Sequence, residues 1–193
     1  MSDKKKVLVF RELPDDQLAR LTAVHEVTVA NPRIAAQKAA FDVALPGAQG
    51  LIGSSYPIDS AVLARAPKLE VVSSVSVGVD NYELAALHAR GILLCHTPGV
   101  LTETVADTVF ALLMATSRRV VELANLVREG RWDKNIGPDL FGRDVHGKTL
   151  GILGFGRIGQ ALARRAALGF GMPVLYHNPC TVDLPELAGR AIA

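Results

Sequence analysis

A glycine-rich segment near the end of the chain constrains the fold more than any other feature. An apolar run at residues 149–153 is followed by Gly154, Gly156 and Gly159 in the spacing G-x-G-x-x-G. The residues after the glycines show a helical pattern, and a second apolar run occupies residues 174–176. The order strand, glycine turn, helix and strand predicts one βαβ unit of about thirty residues.

The three glycines have different physical tasks in such a unit. Gly154 permits the tight turn that leaves the strand, and Gly156 lets a pyrophosphate approach the backbone because it has no Cβ. Gly159 allows the helix to lie close to the strand, and the free N–H groups at the helix start then face the anion. A glycine cluster can also be a purely structural turn, but the flanking strands and helix favour a dinucleotide site.

Composition and charge exclude several classes of protein. The formal net charge of +2 is too small and too scattered to indicate nucleic-acid or anionic-membrane binding. No apolar run reaches membrane-spanning length, and the run at residues 7–10 is too short for a signal-peptide core. Cys95 and Cys180 lack metal-ligand spacing and predict no metal site and no disulfide scaffold, so a reducing cytoplasm is expected. Cys95 lies in an apolar run and is expected to be buried.

The N-terminal half alternates short apolar runs with helical patterns. Strands are predicted at residues 5–10, 27–30, 50–53, 69–75 and 92–96. Helices are predicted at residues 14–24, from Pro32 onward, at 59–66 and at 82–89. Asp59 is an expected N-cap, and Gly91 stands where a helix end needs a left-handed residue. Five strands separated by helices predict an α/β fold with a parallel sheet covered on both faces.

A Pro-Gly break at residues 98–99 marks the expected domain boundary. It separates a domain at residues 1–100 from a second domain at residues 101–193. The second domain begins with a single long helical pattern from about Thr102 to Arg128.

The segment at residues 130–148 is polar and predicts a long, partly irregular connection. Irregular stretches of this length are often functional, and packing on a second subunit is one such use. Trp132 and Phe141 are the expected anchors of that contact. The alternative is that both rings pack on their own subunit.

Several short motifs occur in the order found in one enzyme family. They are residues 75–81 (VSVGVDN), 90–92 (RGI), 96–100 (HTPGV), 104–107 (TVAD), 118–119 (RR), 130–132 (GRW) and 154–159 (GFGRIG). Together they resemble the D-isomer-specific 2-hydroxyacid dehydrogenases. Residues 101–108 (LTETVADT) and 136–139 (IGPD) are similar to the bacterial subgroup of glyoxylate/hydroxypyruvate reductases, also called 2-ketogluconate reductases.

The resemblance implies a fold and an activity. The implied fold is a flavodoxin-like parallel-sheet substrate domain followed by an incomplete Rossmann NAD(P)-binding domain, whose long helix links the domains and forms a homodimer. Complete enzymes of this kind reduce a small 2-keto acid (glyoxylate, hydroxypyruvate or 2-ketogluconate) to the D-2-hydroxy acid with NAD(P)H.

The resemblance also implies residue roles. Val77 and Gly78 match the turn whose N–H groups hold the substrate carboxylate, although Gly78 can also serve a simple strand-to-helix turn. Thr104 matches a position on the nicotinamide side of the cofactor, and a capping box with Asp107 is its alternative role. The full set of implied cofactor-binding positions is Thr104, Gly154, Gly156, Arg157, Ile158, Gly159 and Asn178.

Asn178 stands at the strand end where an acidic residue would bind the ribose 2′-hydroxyl of NAD. A neutral amide does not repel a 2′-phosphate, so NADP is favoured and NAD remains open. Pro179 and Cys180 occupy positions where the subgroup usually has a basic residue.

The catalytic groups that the resemblance implies are not matched within the 193 residues. The family uses an Arg, an acidic residue and a His that all follow the second nucleotide-domain strand. None of the five histidines fits that motif, and His96 is the one to test as an acid. We therefore expect a C-terminally truncated chain of doubtful activity, with a weakly helical tail at residues 181–193. The alternatives are a non-catalytic nucleotide-binding or dimerisation fragment, or a degraded gene product without a role.

Overall fold

The computed structural model describes residues 4–182, 184–187 and 191–192. The chain divides into two compact units, an N-terminal unit at Met1–Pro98 and a C-terminal unit at Gly99–Ala193. Each unit has its own hydrophobic core. Among the described residues, no helix is both long and apolar enough to cross a membrane.

The N-terminal unit is built on a five-stranded parallel sheet. Its strands are β1 (Lys6–Val9), β2 (Glu26–Val29), β3 (Gly50–Gly53), β4 (Val71–Ser74) and β5 (Leu93–Cys95). They lie in the order β2-β1-β3-β4-β5, and every neighbouring pair is parallel. This is the flavodoxin-like doubly wound order, so the predicted fold class is confirmed. Ligands of such sheets bind at the carboxyl ends of the strands, beside the point where the strand order reverses.

Four helices cover this sheet. They are α1 (Asp15–Val24), α2 (Ala35–Ala44), α3 (Ser60–Ala64) and α4 (Leu84–Ala89). Strands buried on both faces need apolar side chains in succession, which explains the apolar runs of β1 and β3. The fully buried core side chains include Leu8, Phe10, Phe41, Leu51 and Leu63.

Two local predictions in the N-terminal unit are confirmed. The side chain of Asp59 accepts a hydrogen bond from the Val62 N–H at 2.9 Å and caps α3. Gly91 has a φ of 65° and ends the turn after α4. In contrast, Cys95 is exposed, so its predicted burial is wrong. The reason is that β5 is an edge strand, and its side chains are exposed or only half-buried.

The C-terminal unit begins with two helices where the sequence predicts one. The helices are α5 (Thr102–Ser117) and α6 (Val120–Arg128). Arg119, between them, has a left-handed backbone with a φ of 56°. Its guanidinium donates to the Glu122 carboxylate at 2.5 Å and to the Asp139 carbonyl at 2.6 Å. These bonds hold the helix break in place.

The segment that returns past this break prevents a continuous helix. The Ser117 carbonyl, which a longer helix would use internally, accepts the Arg143 N–H at 2.7 Å. The neighbouring Gly142 packs so closely that a Cβ there would lie 2.7 Å from the Arg118 Cα. The prediction of one helix over residues 102–128 is therefore wrong, because a distant segment takes the place of the next helical turn.

The glycine-rich segment forms the predicted βαβ unit. It consists of β6 (Leu150–Leu153), α7 (Arg157–Arg164), a π-helical turn at Arg165–Gly169 and β7 (Val174–His177). β6 and β7 pair in parallel, and a short β8 (Ala191–Ile192) adds to the far side of β7. The sheet order is β6-β7-β8, which leaves β6 at an edge.

The tail differs from the helix expected at residues 181–193. A single 3₁₀ turn forms at Pro185–Leu187, and β8 follows. Residues 183, 188–190 and 193 lie outside the described residues, so that part of the prediction stays a prediction.

One face of this smaller sheet is packed and the other is open. Alternate residues of a strand point to opposite faces. Ile152, Val174 and Tyr176 are buried in the core beneath α7. Leu153 and Leu175 point the other way, and Leu153 is 87% exposed.

Candidate functional site

The turn after β4 carries Val77 and Gly78 at the carboxyl edge of the N-terminal sheet. Val77 is half-buried and Gly78 is exposed. No described residue accepts a hydrogen bond from the backbone N–H group of either residue. Successive unpaired N–H groups of this kind make an anion-binding concavity. The turn can therefore bind a carboxylate through its backbone.

The carbonyl groups of the same turn are all engaged within the N-terminal unit. The Thr97 N–H donates to the Ser76 carbonyl at 3.1 Å. The His96 Nδ1 lies 2.9 Å from the Val77 carbonyl oxygen. The Ser76 hydroxyl donates to the Gly78 carbonyl at 3.1 Å. Because the carbonyls are occupied, the N–H groups are the polar atoms that the turn offers to a ligand.

Neither the backbone angle nor a backbone clash requires glycine at position 78. The φ of Gly78 lies outside the left-handed region, so the backbone conformation suits other residues as well. A Cβ at this position would lie 3.2 Å from the Asp80 Oδ2, which is the end of a flexible side chain. The absence of a side chain leaves the Gly78 N–H open to solvent.

The three glycines after β6 differ in what they accommodate. Gly154 has a φ of 90°, a conformation that favours glycine. A Cβ at Gly159 would lie 2.4 Å from the Gly154 carbonyl oxygen, so this glycine permits the close contact of α7 with the loop. The structural tasks expected of these two residues are confirmed.

Gly156 serves neither of those purposes. It precedes α7 with an ordinary φ of −74°, and a Cβ there would have no atom within 4 Å. The space beside it is open, and that space is where a pyrophosphate would approach the backbone. The glycine loop thus fits the phosphates of a dinucleotide.

The start of α7 adds donors and charge to this loop. No side chain caps the helix, and its first N–H groups have no intrahelical partner. Arg157 and Ile158 form the first turn and are exposed, and the Arg157 guanidinium has no partner among the described residues. A helix start with free N–H groups and a nearby guanidinium is well suited to a phosphate.

Asn178 connects the glycine loop to the end of β7. Its Oδ1 accepts the Phe155 N–H at 3.0 Å, and its Nδ2 donates to the Cys180 carbonyl at 2.8 Å. The Phe155 ring stacks on the Tyr176 ring, with centroids 3.9 Å apart. The amide oxygen is therefore used within the loop, and a ribose contact by Asn178 remains a prediction.

Thr104 lies within the first turns of α5 and is exposed. The cap position of α5 is Leu101, and no side chain caps that helix, so the capping box of Thr104 and Asp107 is not formed. Asp107 and Glu103 bind the guanidinium of Arg165, which follows α7, at 2.5 and 2.9 Å. Asp107 is the larger cause that raises the pKa of Arg165. A cofactor contact by Thr104 remains a prediction.

The described residues provide no metal centre beside these features. Within the part of the chain that the structure describes, no group of three His, Cys, Asp or Glu side chains could hold a metal ion. The two sites consist of backbone N–H groups, small residues and one free guanidinium, which suits the binding of anions.

Comparison with protein families identifies the family to which the chain belongs. Residues 7–136 match the model of the D-isomer specific 2-hydroxyacid dehydrogenase catalytic domain, and residues 110–189 match the NAD binding domain of the same family. The chain belongs to the D-isomer specific 2-hydroxyacid dehydrogenase family. The resemblance inferred from the short motifs is thereby confirmed.

Several relatives within this dehydrogenase family are similar to the chain. It is 55% identical over 177 residues to the glyoxylate/hydroxypyruvate reductase B of Klebsiella pneumoniae, covering 90% of this chain and 54% of the relative. A relative of the same name from Escherichia coli is 52% identical with the same coverage. The chain therefore spans about half the length of these relatives.

Solved structures agree with the family assignment. A protein from Thermus thermophilus has a TM-score of 0.82 at 45% identity, covering 96% of this chain and 62% of that protein. The NADPH-dependent glyoxylate/hydroxypyruvate reductase of Sinorhizobium meliloti, solved with NADP and malonate, has a TM-score of 0.76 at 31% identity. The aligned region covers 94% of this chain and 55% of that reductase.

Three residues of the chain have contacts that the sequence did not predict. They are His96 at the Val77 carbonyl, Asn178 at the Phe155 N–H, and Arg165 between two carboxylates of α5. The spacing of Glu103 and Asp107, four residues apart on a helix, could have indicated a shared cationic partner. No local pattern indicates the other two contacts.

Proposed function

We propose that this chain supplies the substrate-carboxylate turn and the cofactor loop of an NAD(P)H-dependent reductase that converts a small 2-keto acid to the D-2-hydroxy acid. The observation that carries the proposal is the pair of unpaired N–H groups at Val77 and Gly78, whose neighbouring carbonyls are all engaged. The relatives named glyoxylate/hydroxypyruvate reductase support glyoxylate or hydroxypyruvate as substrate. 2-Ketogluconate remains a further candidate of the same class.

In this proposal the protein binds and orients while the cofactor reacts. The two N–H groups of the turn hold the substrate carboxylate and so orient the adjacent keto carbon. Gly156 leaves room for the pyrophosphate, and the Arg157 guanidinium and the start of α7 stabilise its charge. When bound, the nicotinamide supplies the hydride. The malonate found in the Sinorhizobium meliloti relative supports a carboxylate-binding site in this family.

NADP is the proposed cofactor in preference to NAD. The end of β7 offers no carboxylate to a ribose 2′-hydroxyl, because Asn178 is neutral and its amide oxygen already accepts the Phe155 N–H. The following Pro179 and Cys180 do not provide a basic partner for a 2′-phosphate either. The expected preference is therefore modest.

Turnover and binding should separate in this chain. The Arg, acidic residue and His implied by the family resemblance are not matched among its residues, so glyoxylate-dependent oxidation of NADPH by the purified 193-residue chain should be near zero. NADP binding, measured by calorimetry, should nevertheless be detectable. Readily measured turnover would contradict the assignment of the catalytic groups, and absence of nucleotide binding would contradict the cofactor loop.

A second candidate function is a dimerisation module, which the exposed apolar side chains of the C-terminal unit support. Trp132 and Phe141 are each 59% exposed, so neither ring packs fully on its own subunit. Leu112 and Val121 on α5 and α6 are exposed as well. We propose that a second subunit covers them in a homodimer. Native mass spectrometry after mixing with an intact homologue should show mixed dimers, and Val121→Asp should abolish them.

A reducing cytoplasm is the proposed location. Cys95 and Cys180 are both free and exposed, and they belong to different units of the chain. Free exposed thiols persist in a reducing compartment. Fractionation of the native host followed by immunodetection would test this location.

A further inference from the structure

We infer that His96 is a positioning residue for the substrate carboxylate, because its ring fixes the peptide group that carries the Gly78 N–H. The inference rests on the proposed function of the turn after β4. His96 opens the motif at residues 96–100, but that motif does not explain its contact with the turn, and His96 lies outside the glycine loop.

The hydrogen bond identifies the Nδ1 as a ring nitrogen that carries a hydrogen. The His96 Nδ1 lies 2.9 Å from the Val77 carbonyl oxygen. A carbonyl oxygen can only accept, so the Nδ1 must carry the hydrogen. In the neutral ring the Nε2 then has no hydrogen and cannot act as a donor. His96 thus serves the turn and does not offer a proton to a substrate as a neutral acid.

The planarity of the peptide bond carries this contact to the ligand site. The Val77 carbonyl and the Gly78 N–H belong to one planar trans peptide group and point in opposite directions. Holding the oxygen of that group toward His96 therefore holds its N–H on the other side, where the carboxylate would bind. Rotation of the peptide group would remove the donor from the site.

The two peptide groups of the site are fixed by different kinds of partner. The group that contains the Val77 N–H is held by the backbone, since the Thr97 N–H donates to the Ser76 carbonyl at 3.1 Å. The group that contains the Gly78 N–H is held by the His96 side chain. A substitution at His96 can therefore release one donor of the site while leaving the other in place.

The test uses the isotope-labelled 193-residue chain and oxamate, a carboxylate with an adjacent carbonyl group. Chemical shifts of the Val77 and Gly78 amides would be followed during titration. His96→Ala should weaken oxamate binding about fivefold, which is the loss expected when one donor is no longer held in place. His96→Asn should restore binding to within about twofold of the wild type, because an amide N–H can donate to the same carbonyl.

The control is His88→Ala, because His88 is an exposed histidine on α4 with no side-chain partner among the described residues. It should leave the titration unchanged. Before oxamate is added, His96→Ala should also change the chemical shift of the Gly78 amide more than that of the Val77 amide. Equal oxamate binding by the wild type and His96→Ala would overturn the inference. No saturating shift in the wild type would instead overturn the carboxylate site of the proposed function.

Discussion

The two sheets of this protein carry their candidate sites in different ways. In the N-terminal unit, the site turn follows β4, which is paired on both sides. The turn is fixed by residues about twenty positions later in the chain, Thr97 and His96. In the C-terminal unit, β6 leads into the glycine loop from the edge of a three-stranded sheet. Its loop is fixed by nearby glycines and by Asn178. The glycine turn itself is thus a local structure, whereas the nest has no glycine-specific backbone angle. Both sites nevertheless need a side chain from farther along the chain, Asn178 for the loop and His96 for the nest.

The largest expected effect distinguishes the central strand of one sheet from the edge strand of the other. Leu51 on β3 is 0% exposed, and Leu51→Ala should lower the free energy of unfolding by about 2–5 kcal/mol because it leaves a cavity. Leu153→Ala on β6 should change it by less than about 0.5 kcal/mol, because that side chain is exposed. Urea unfolding followed by circular dichroism measures both. Equal costs would show that β6 is buried in solution, for example by association of two chains.

A pair of glycine substitutions tests how local the cofactor loop is. Gly159→Ala should destabilise the C-terminal unit by about 1–3 kcal/mol, because its Cβ would clash with the Gly154 carbonyl oxygen. Gly156→Ala meets no atom and should leave the stability nearly unchanged. It should still weaken NADP binding about tenfold, because the added Cβ would keep the pyrophosphate away from the backbone. A tenfold loss corresponds to about one hydrogen bond to a charged phosphate.

The fluorescence of Trp132, the single tryptophan, reports unfolding of the C-terminal unit, and calorimetry measures NADP binding. If Gly156→Ala bound NADP as well as the wild type, the pyrophosphate would not approach the loop at that residue.

A smaller effect is expected from the contact between the loop and β7. Asn178→Ala removes the acceptor of the Phe155 N–H and should cost about 1 kcal/mol. Asn178→Asp keeps that acceptor but loses the donor to the Cys180 carbonyl, so it should also cost about 1 kcal/mol. The charge that it adds beside the proposed ribose site should shift the preference from NADP toward NAD. Amide hydrogen exchange at Phe155 and the ratio of the two cofactor affinities measure these outcomes. Unchanged exchange in Asn178→Ala would argue against the contact.

The smallest effect concerns acid stability of the N-terminal unit. Hydrogen bonds from Lys38 and then Arg65 lower the pKa of Asp42 below its ordinary value of 3.8. The Asp42 carboxyl therefore binds a proton less readily in the folded state than in the unfolded state. Its contacts with Lys38 and Arg65 stabilise the fold above pH 3.8, and that stabilisation is lost as the pH falls further. Asp42→Asn should therefore have a lower midpoint of thermal unfolding than the wild type near neutral pH. The two midpoints should converge in acid.

Much of the fold could be predicted from periodicity and turn residues. The five strands of the N-terminal sheet and the βαβ unit lie within a few residues of their predicted positions, because alternating apolar runs and glycine turns are local properties of the chain. The break at Arg119 could not be predicted, since it depends on Gly142 and Arg143, which approach from a distant segment. The exposure of Cys95 likewise follows from the edge position of β5, which no local pattern specifies.

The sequence by itself determined that the chain has two α/β units, that a glycine loop follows β6, and that its motifs belong to one dehydrogenase family. Spacing and residue type suffice for these conclusions because the turns and periods they describe are short. Only the tertiary structure decided which N–H groups are unpaired and which partners engage the carbonyls beside them. Hydrogen bonds such as that of His96 with Val77 join residues far apart in the chain, and they exist only after the sheet has brought the strand ends together.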